Sequence, residues 1–156
     1  MKILVTYYSR TRVTAGVANE IVQKLNCDIE EIKDTKNRSG AIRYFTSIID
    51  AIRRIPTEIE PIKKNPADYD LVIVGTPVWA STMANPILTY LKENKDKFKE
   101  IAVFCTCGKS GFDKTLSKME ESAGKQAIAK LAMIKVDINS SFDTKINEFI
   151  EKLNPR

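Results

Sequence analysis

Residues 1–25, MKILVTYYSRTRVTAGVANEIVQKL, decide the architecture. Lys2 to Tyr7 is a short β-branched and aromatic run of strand length, and Ser9 to Thr14 is a hydroxyl-rich turn. From about Thr11 the apolar residues recur with helical period, Val13, Val17 and Ile21 on one stripe with Ala18, Val22 and Leu25 beside it. Strand, short polar loop and amphipathic helix together make the first half of a βαβ unit.

The rest of the chain repeats the alternation. Strand-like runs fall at 28–32, 71–75, 101–105 and 131–136, each followed by a stretch of helical spacing. Asn85-Pro86 reads as a helix cap and first turn leading into Ile87, Leu88 and Leu91. Phe112, Leu116 and Met119 mark the next helix. The last opens at Ser140-Ser141 and buries Phe142, Ile146, Phe149, Ile150 and Leu153. This pattern predicts an α/β fold, a three-layer sandwich with a parallel sheet of strand order 2-1-3-4-5, in one domain over 1–156. The centre of the long 33–70 connection, residues 41–55, reads as a helix with two apolar stripes. That leaves thick burial or a homodimer contact open for one of its faces.

Composition narrows the chemistry. The sequence contains no histidine, which removes Ser-His and Cys-His nucleophile pairs, zincin helices and imidazole-ligated metals. Its three cysteines, Cys27, Cys105 and Cys107, cannot make a four-thiolate zinc site or a full disulfide framework, so a reducing cytoplasm is the expected home. No apolar run approaches membrane length, and the opening apolar run is too brief for a signal peptide. With 25 Lys and Arg against 20 Asp and Glu the net charge is +5, which favours anionic partners. The basic residues are spread along the chain, which argues against nucleic acid.

In an open parallel sheet, ligands bind beyond the carboxyl ends of the strands. The loop after the first strand, Ser9-Arg10-Thr11-Arg12-Val13-Thr14, offers three hydroxyls and incoming helix amides to a phosphate, although helix capping explains the same hydroxyls more simply. The loop after the third, Gly75-Thr76-Pro77-Val78-Trp79-Ala80-Ser81-Thr82-Met83, carries the only tryptophan, a flat wall for a planar ring or a core residue. The loop after the fourth, Cys105-Thr106-Cys107-Gly108-Lys109-Ser110-Gly111, supplies backbone amides and two glycines, with its cysteines read as loop wall and not as a redox pair. The glycine-dependent phosphate templates fail: Val103 occupies the first P-loop glycine position, and no G-x-G-x-x-G follows a strand.

Taken in order, these three loops resemble the flavodoxins, specifically the small flavodoxin-like proteins of anaerobes and archaea, over nearly the whole chain. SRTRVT resembles the family's [ST]-x-T-G-x-T phosphate loop at Ser9, Thr11 and Thr14. GTPVWASTM resembles its second signature, with Trp79 as the aromatic stacked on the isoalloxazine. CTCGKSG resembles its third, with Cys105 to Gly111 offering backbone to the pyrimidine edge. The resemblance implies noncovalent FMN and one-electron transfer between redox proteins. The positive charge adds an acidic, ferredoxin-like partner, for which Lys63, Lys64, Arg53 and Arg54 are candidate contacts. Two alternatives stay open: an NAD(P)H-dependent flavin or quinone reductase completed by a second subunit through 41–55, and a binding module that has lost FMN. Three departures are visible. Arg12 stands at the family's glycine, Ser81 stands where relatives often have glycine, and +5 contrasts with the usual acidic charge.

Overall fold

The computed structural model describes residues 1–35, 49 and 56–153. A parallel sheet is formed by β1 (Ile3–Tyr7), β2 (Asp28–Glu31), β3 (Leu71–Trp79), β5 (Glu100–Cys107) and β6 (Lys130–Ile134) in the order β2-β1-β3-β5-β6. A short strand, β4 (Thr82–Met83), folds back antiparallel on β3. Without β4 the order is the expected 2-1-3-4-5. The helices are α1 (Val13–Leu25), α2 (Asn85–Asn94), α3 (Phe112–Ala123), α4 (Lys135–Ser140) and α5 (Phe142–Leu153).

Strand alternation divides the core between the two faces of the sheet. Leu4, Val72, Val74 and Val103 pack with Ile87, Leu91, Leu116 and Met119 of α2 and α3. Their sequence neighbours Ile3, Val5, Ile73, Ala102 and Phe104 pack with Ala18, Ile21, Ile146 and Phe149 of α1 and α5. Both faces are therefore covered, as near-continuous apolar strands require. Gly75 belongs to this packing: a Cβ built there would lie 2.0 Å from Cζ of Phe104, so the ring occupies the space a side chain would need.

Several boundaries differ from the sequence-based expectation, each for a local reason. β3 runs on to Trp79 because Gly75, Thr76 and Pro77 keep pairing with Phe104, Cys105 and Thr106 before Val78 and Trp79 turn back against Met83 and Thr82. α1 starts at Val13, not Thr11, because Arg12 is left-handed (φ 69°). Its first residue, Val13, is 42% exposed and outside the core stripe expected of it. Asn85 is the first residue of α2 and not its cap; Ala84 is the cap, its carbonyl accepting from Ile87 and Leu88 and its own N–H held by Thr76 Oγ1 at 2.9 Å. The final strand stops at Ile134, short of Val136, because the Asp137 carboxylate takes the Ile134 N–H at 3.1 Å and starts α4. The helix expected over 41–55 lies outside the described residues except for Ile49. Arg53 and Arg54 also lie outside them.

Candidate functional site

Three loops and one unforeseen helix meet at the carboxyl edge of the sheet around a cleft of about 440 Å³. Arg10, Thr11 and Val13 form one end, and Pro77, Val78 and Trp79 form a largely apolar wall. Thr106, Cys107 and Gly108 lie along the β5 edge. Lys135, Ile138 and Asn139 of α4 close the other end, and none of the three was picked out from the sequence. The sequence pattern carries the last strand through Val136 and so takes in Lys135, while Ile138 and Asn139 fall in the short stretch before the helix expected at Ser140. The rule that made the other loops suspect, position beyond a strand's carboxyl end, would have found them.

The first loop divides its work between structure and cleft. Ser9 Oγ accepts from the Ala15 N–H at 3.2 Å, so it satisfies one free donor in the first turn of the new helix. Thr14 is buried, its hydroxyl 2.8 Å from that of Thr106 on β5. Arg10 and Thr11 line the cleft itself. Arg12 turns the other way. Its Nη1 pairs with Glu31 Oε1 at 2.8 Å on β2, and its side chain is 61% exposed. Glu31 is also the main cause that raises the affinity of the Arg12 guanidinium for its proton. The Arg12 backbone therefore makes the turn while its charge is directed at a protein carboxylate.

The second loop is a hairpin. Trp79 pairs with Thr82 across the two-residue turn Ala80-Ser81, and both turn residues have positive φ, 49° and 58°. Positive φ at both central positions matches the twist of a tight hairpin and normally selects Asn-Gly, so Ala-Ser carries strain here. Neighbours hold the turn in place. Lys118 Nζ donates to the Ser81 carbonyl at 3.4 Å, and Gly111 (φ 89°) packs so closely that a Cβ would meet Ser81 Oγ at 3.0 Å. Thr76 is buried, its hydroxyl donating to the Pro77 carbonyl and accepting from Ala84, so it anchors the hairpin base. Trp79 is 7% exposed and meets Tyr8 edge to face at 5.5 Å between centroids. It is thus both a core residue and part of the cleft wall.

In the third loop Cys105 is fully buried and burial pushes its thiol up. Cys107 lines the cleft, and its thiol is also raised, first by burial and then by the charge of Asp137. Neither is a thiolate near neutral pH, which agrees with a wall role and not a redox one. Gly111 caps α3 from the left-handed region, and Gly108 faces open space. Of the sequence-predicted residues, Arg10, Thr11, Val13, Pro77, Val78, Trp79, Thr106, Cys107 and Gly108 reach the cleft. Ser9, Arg12, Thr14, Thr76, Ala80, Ser81, Cys105 and Gly111 do not line it. Lys63 and Lys64 lie elsewhere, their N–H groups bound by Glu30 beside β2.

The arrangement defines a doubly wound α/β protein with a ligand cleft at its switch edge, the Thr11 hydroxyl and Arg10 at one end and an apolar wall in the middle. The sequence profile of the flavodoxin family, described simply as flavodoxin, matches residues 2–153, and the chain belongs to that family. Among solved structures, a flavoprotein from Lactobacillus acidophilus in complex with FMN is similar at 28% identity and TM-score 0.74, over 88% of this chain and 96% of its own. A Bacteroides eggerthii protein solved as a candidate flavoprotein is similar at 21% identity and TM-score 0.79, over 99% of both chains. An NADH:FMN oxidoreductase in its apo form has the same fold at 16% identity and TM-score 0.57, over 100% of this chain and 92% of its own. No curated protein sequence matches the chain significantly.

Proposed function

We propose that the protein binds FMN noncovalently in this cleft and carries single electrons between redox proteins. The residues fit the group. Thr11 and the α1 amides suit a phosphate, Arg10 adds a cation at the same end, and Pro77, Val78 and Trp79 offer an apolar face to a planar ring. The volume of about 440 Å³ falls in the usual range for small-molecule clefts. When bound, FMN supplies reversible one- and two-electron chemistry, and the protein supplies position and electrostatics.

The observation that favours a carrier is the open rim. Val13 and Ile138, which line the cleft, are 42% and 37% exposed. An apolar rim around a cofactor edge lets another protein approach closely without a substrate pocket. Arg10 and Lys135 line the cleft, and Lys109 follows Gly108 at its border, so the surroundings of the rim are basic and suit an acidic, ferredoxin-like partner. Among the described residues no helix is long and apolar enough to cross a membrane.

The fold likeness to an NADH:FMN oxidoreductase keeps a reductase as the second reading. Anaerobic mixing separates the two. A carrier loaded with FMN stays yellow with NADH or NADPH alone and is bleached by a reduced ferredoxin. Rapid bleaching by the nicotinamide alone overturns the carrier reading, and a colourless protein that ignores added FMN overturns both.

A further inference from the structure

Phosphate binding and ring stacking leave the α4 end of the cleft without a task. Its position follows from strand register. Cys107 pairs with Ile134, so Lys135 is the first residue beyond β6 and stands next to Gly108 along the sheet edge. The phosphate loop leaves β1, which is separated from β6 by β3 and β5. Three inter-strand steps make roughly 14 Å at about 4.8 Å each. Lys135 is therefore at the opposite end of the cleft from Thr11.

The charge of Lys135 is also uncompensated by its own helix. The one acid of α4, Asp137, accepts from Lys145 at 2.6 Å, from Ser141 Oγ at 3.2 Å and from the Ile134 N–H at 3.1 Å. Those bonds direct it toward α5 and β6, and they fix α4 in place. Among the described residues no carboxylate pairs with Lys135, which is exposed and lines the cleft. A cation is thus presented to the cleft at its ring end, where the phosphate does not reach.

Isoalloxazine chemistry says what such a cation would recognise. Adding two electrons and one proton to the neutral oxidised ring leaves one negative charge, spread over N1, C2 and O2 of the pyrimidine. We infer that Lys135 is a binding residue for that charge, so that the cleft holds reduced flavin more tightly than it would without the lysine. The inference rests on FMN occupying the cleft as proposed above. By linkage, a group that tightens only the reduced state makes the bound flavin easier to reduce.

The test compares dissociation constants of FMN and riboflavin, each oxidised and dithionite-reduced, for the wild type, Lys135→Gln and Lys135→Arg. Lys135→Gln should lower the preference for reduced over oxidised flavin about two- to fivefold, as expected for one exposed charge pair. The loss should be the same for FMN and riboflavin, and Lys135→Arg should restore most of it. A loss confined to FMN would mean a phosphate contact and overturn the inference. So would an unchanged preference in Lys135→Gln, which leaves the FMN reading intact. A wild type that binds neither flavin overturns the FMN reading and this inference with it.

Discussion

The hydroxyls of Thr14 and Thr106 meet at 2.8 Å beneath the cleft, tying the first turn of α1 to the end of β5 across the sheet edge. Both residues are buried, so the contact joins two of the three loops without exposing either side chain. Thr14→Val leaves the Thr106 hydroxyl unpaired in the core and should cost about 1–3 kcal/mol. The Thr14→Val/Thr106→Val pair should cost less than the sum of the single changes, because it removes the orphan. A double-mutant cycle by urea denaturation reads this directly, and additive losses would show that the hydroxyls are not coupled.

Thr11 is the loop hydroxyl that lines the cleft and is spared the structural bonds that occupy Ser9 and Thr14. Thr11→Ala should weaken FMN by about ten- to hundredfold, the worth of one charge-assisted hydrogen bond of about 1.5–3 kcal/mol. Riboflavin, which lacks the phosphate, should bind the variant as it binds the wild type. Fluorescence titration of both ligands checks the contrast, and equal losses would place Thr11 against the ring or ribityl chain.

Arg12 stands in the left-handed region and spends its charge on Glu31. Arg12→Gly relieves about 1–2 kcal/mol of backbone strain and adds about 0.5–1 kcal/mol of chain entropy to the unfolded state. The exposed ion pair is worth about 0–1 kcal/mol. These terms nearly cancel, so stability should move by no more than about 1 kcal/mol. FMN affinity and its salt dependence should stay within about threefold, since the guanidinium is directed at β2. A large drop in affinity on raising salt, seen only in the wild type, would place the Arg12 charge on the phosphate instead.

The hairpin turn offers a cleaner strain test because no ion pair accompanies it. Ser81 has φ 58° and Gly111 presses on it, so Ser81→Gly should keep the turn and raise stability by up to about 1 kcal/mol. Thermal unfolding of the apoprotein measures it. A destabilised variant would mean that the serine side chain contributes more packing than the backbone loses in strain.

Acid should act through Asp137. Lys145 first, then the Ile134 N–H, hold its carboxyl below the ordinary carboxylate range, against some burial. A depressed folded-state value means the stabilisation is complete above the unfolded value of about 3.9 and fades as pH falls through the folded one. Asp137→Asn should therefore lower the melting temperature at pH 6, with the gap to wild type closing below about pH 4. A gap that stays constant down to pH 2 would show that the amide, and not the lost charge, causes the change.

The sequence by itself determined the layered parallel fold, the strand order and the three loops that carry the cleft. These follow from local signals: β-branched runs, helical apolar spacing and turn residues at strand ends, all readable along the chain. It also placed Trp79 and Thr11 at the cleft. Only the tertiary structure decided what each loop residue does, because direction is set across strands. Ser9 and Thr14 look alike in SRTRVT, yet one takes a free N–H of the first turn of α1 and the other meets Thr106 on β5. Arg12 stands inside the same loop sequence, yet its charge goes to Glu31, which β2 brings beside it from nineteen residues on. Lys135 was invisible for the same reason. Whether a residue ends a strand or begins a helix depends there on Asp137 capturing one N–H, and its place in the cleft depends on β6 lying against β5.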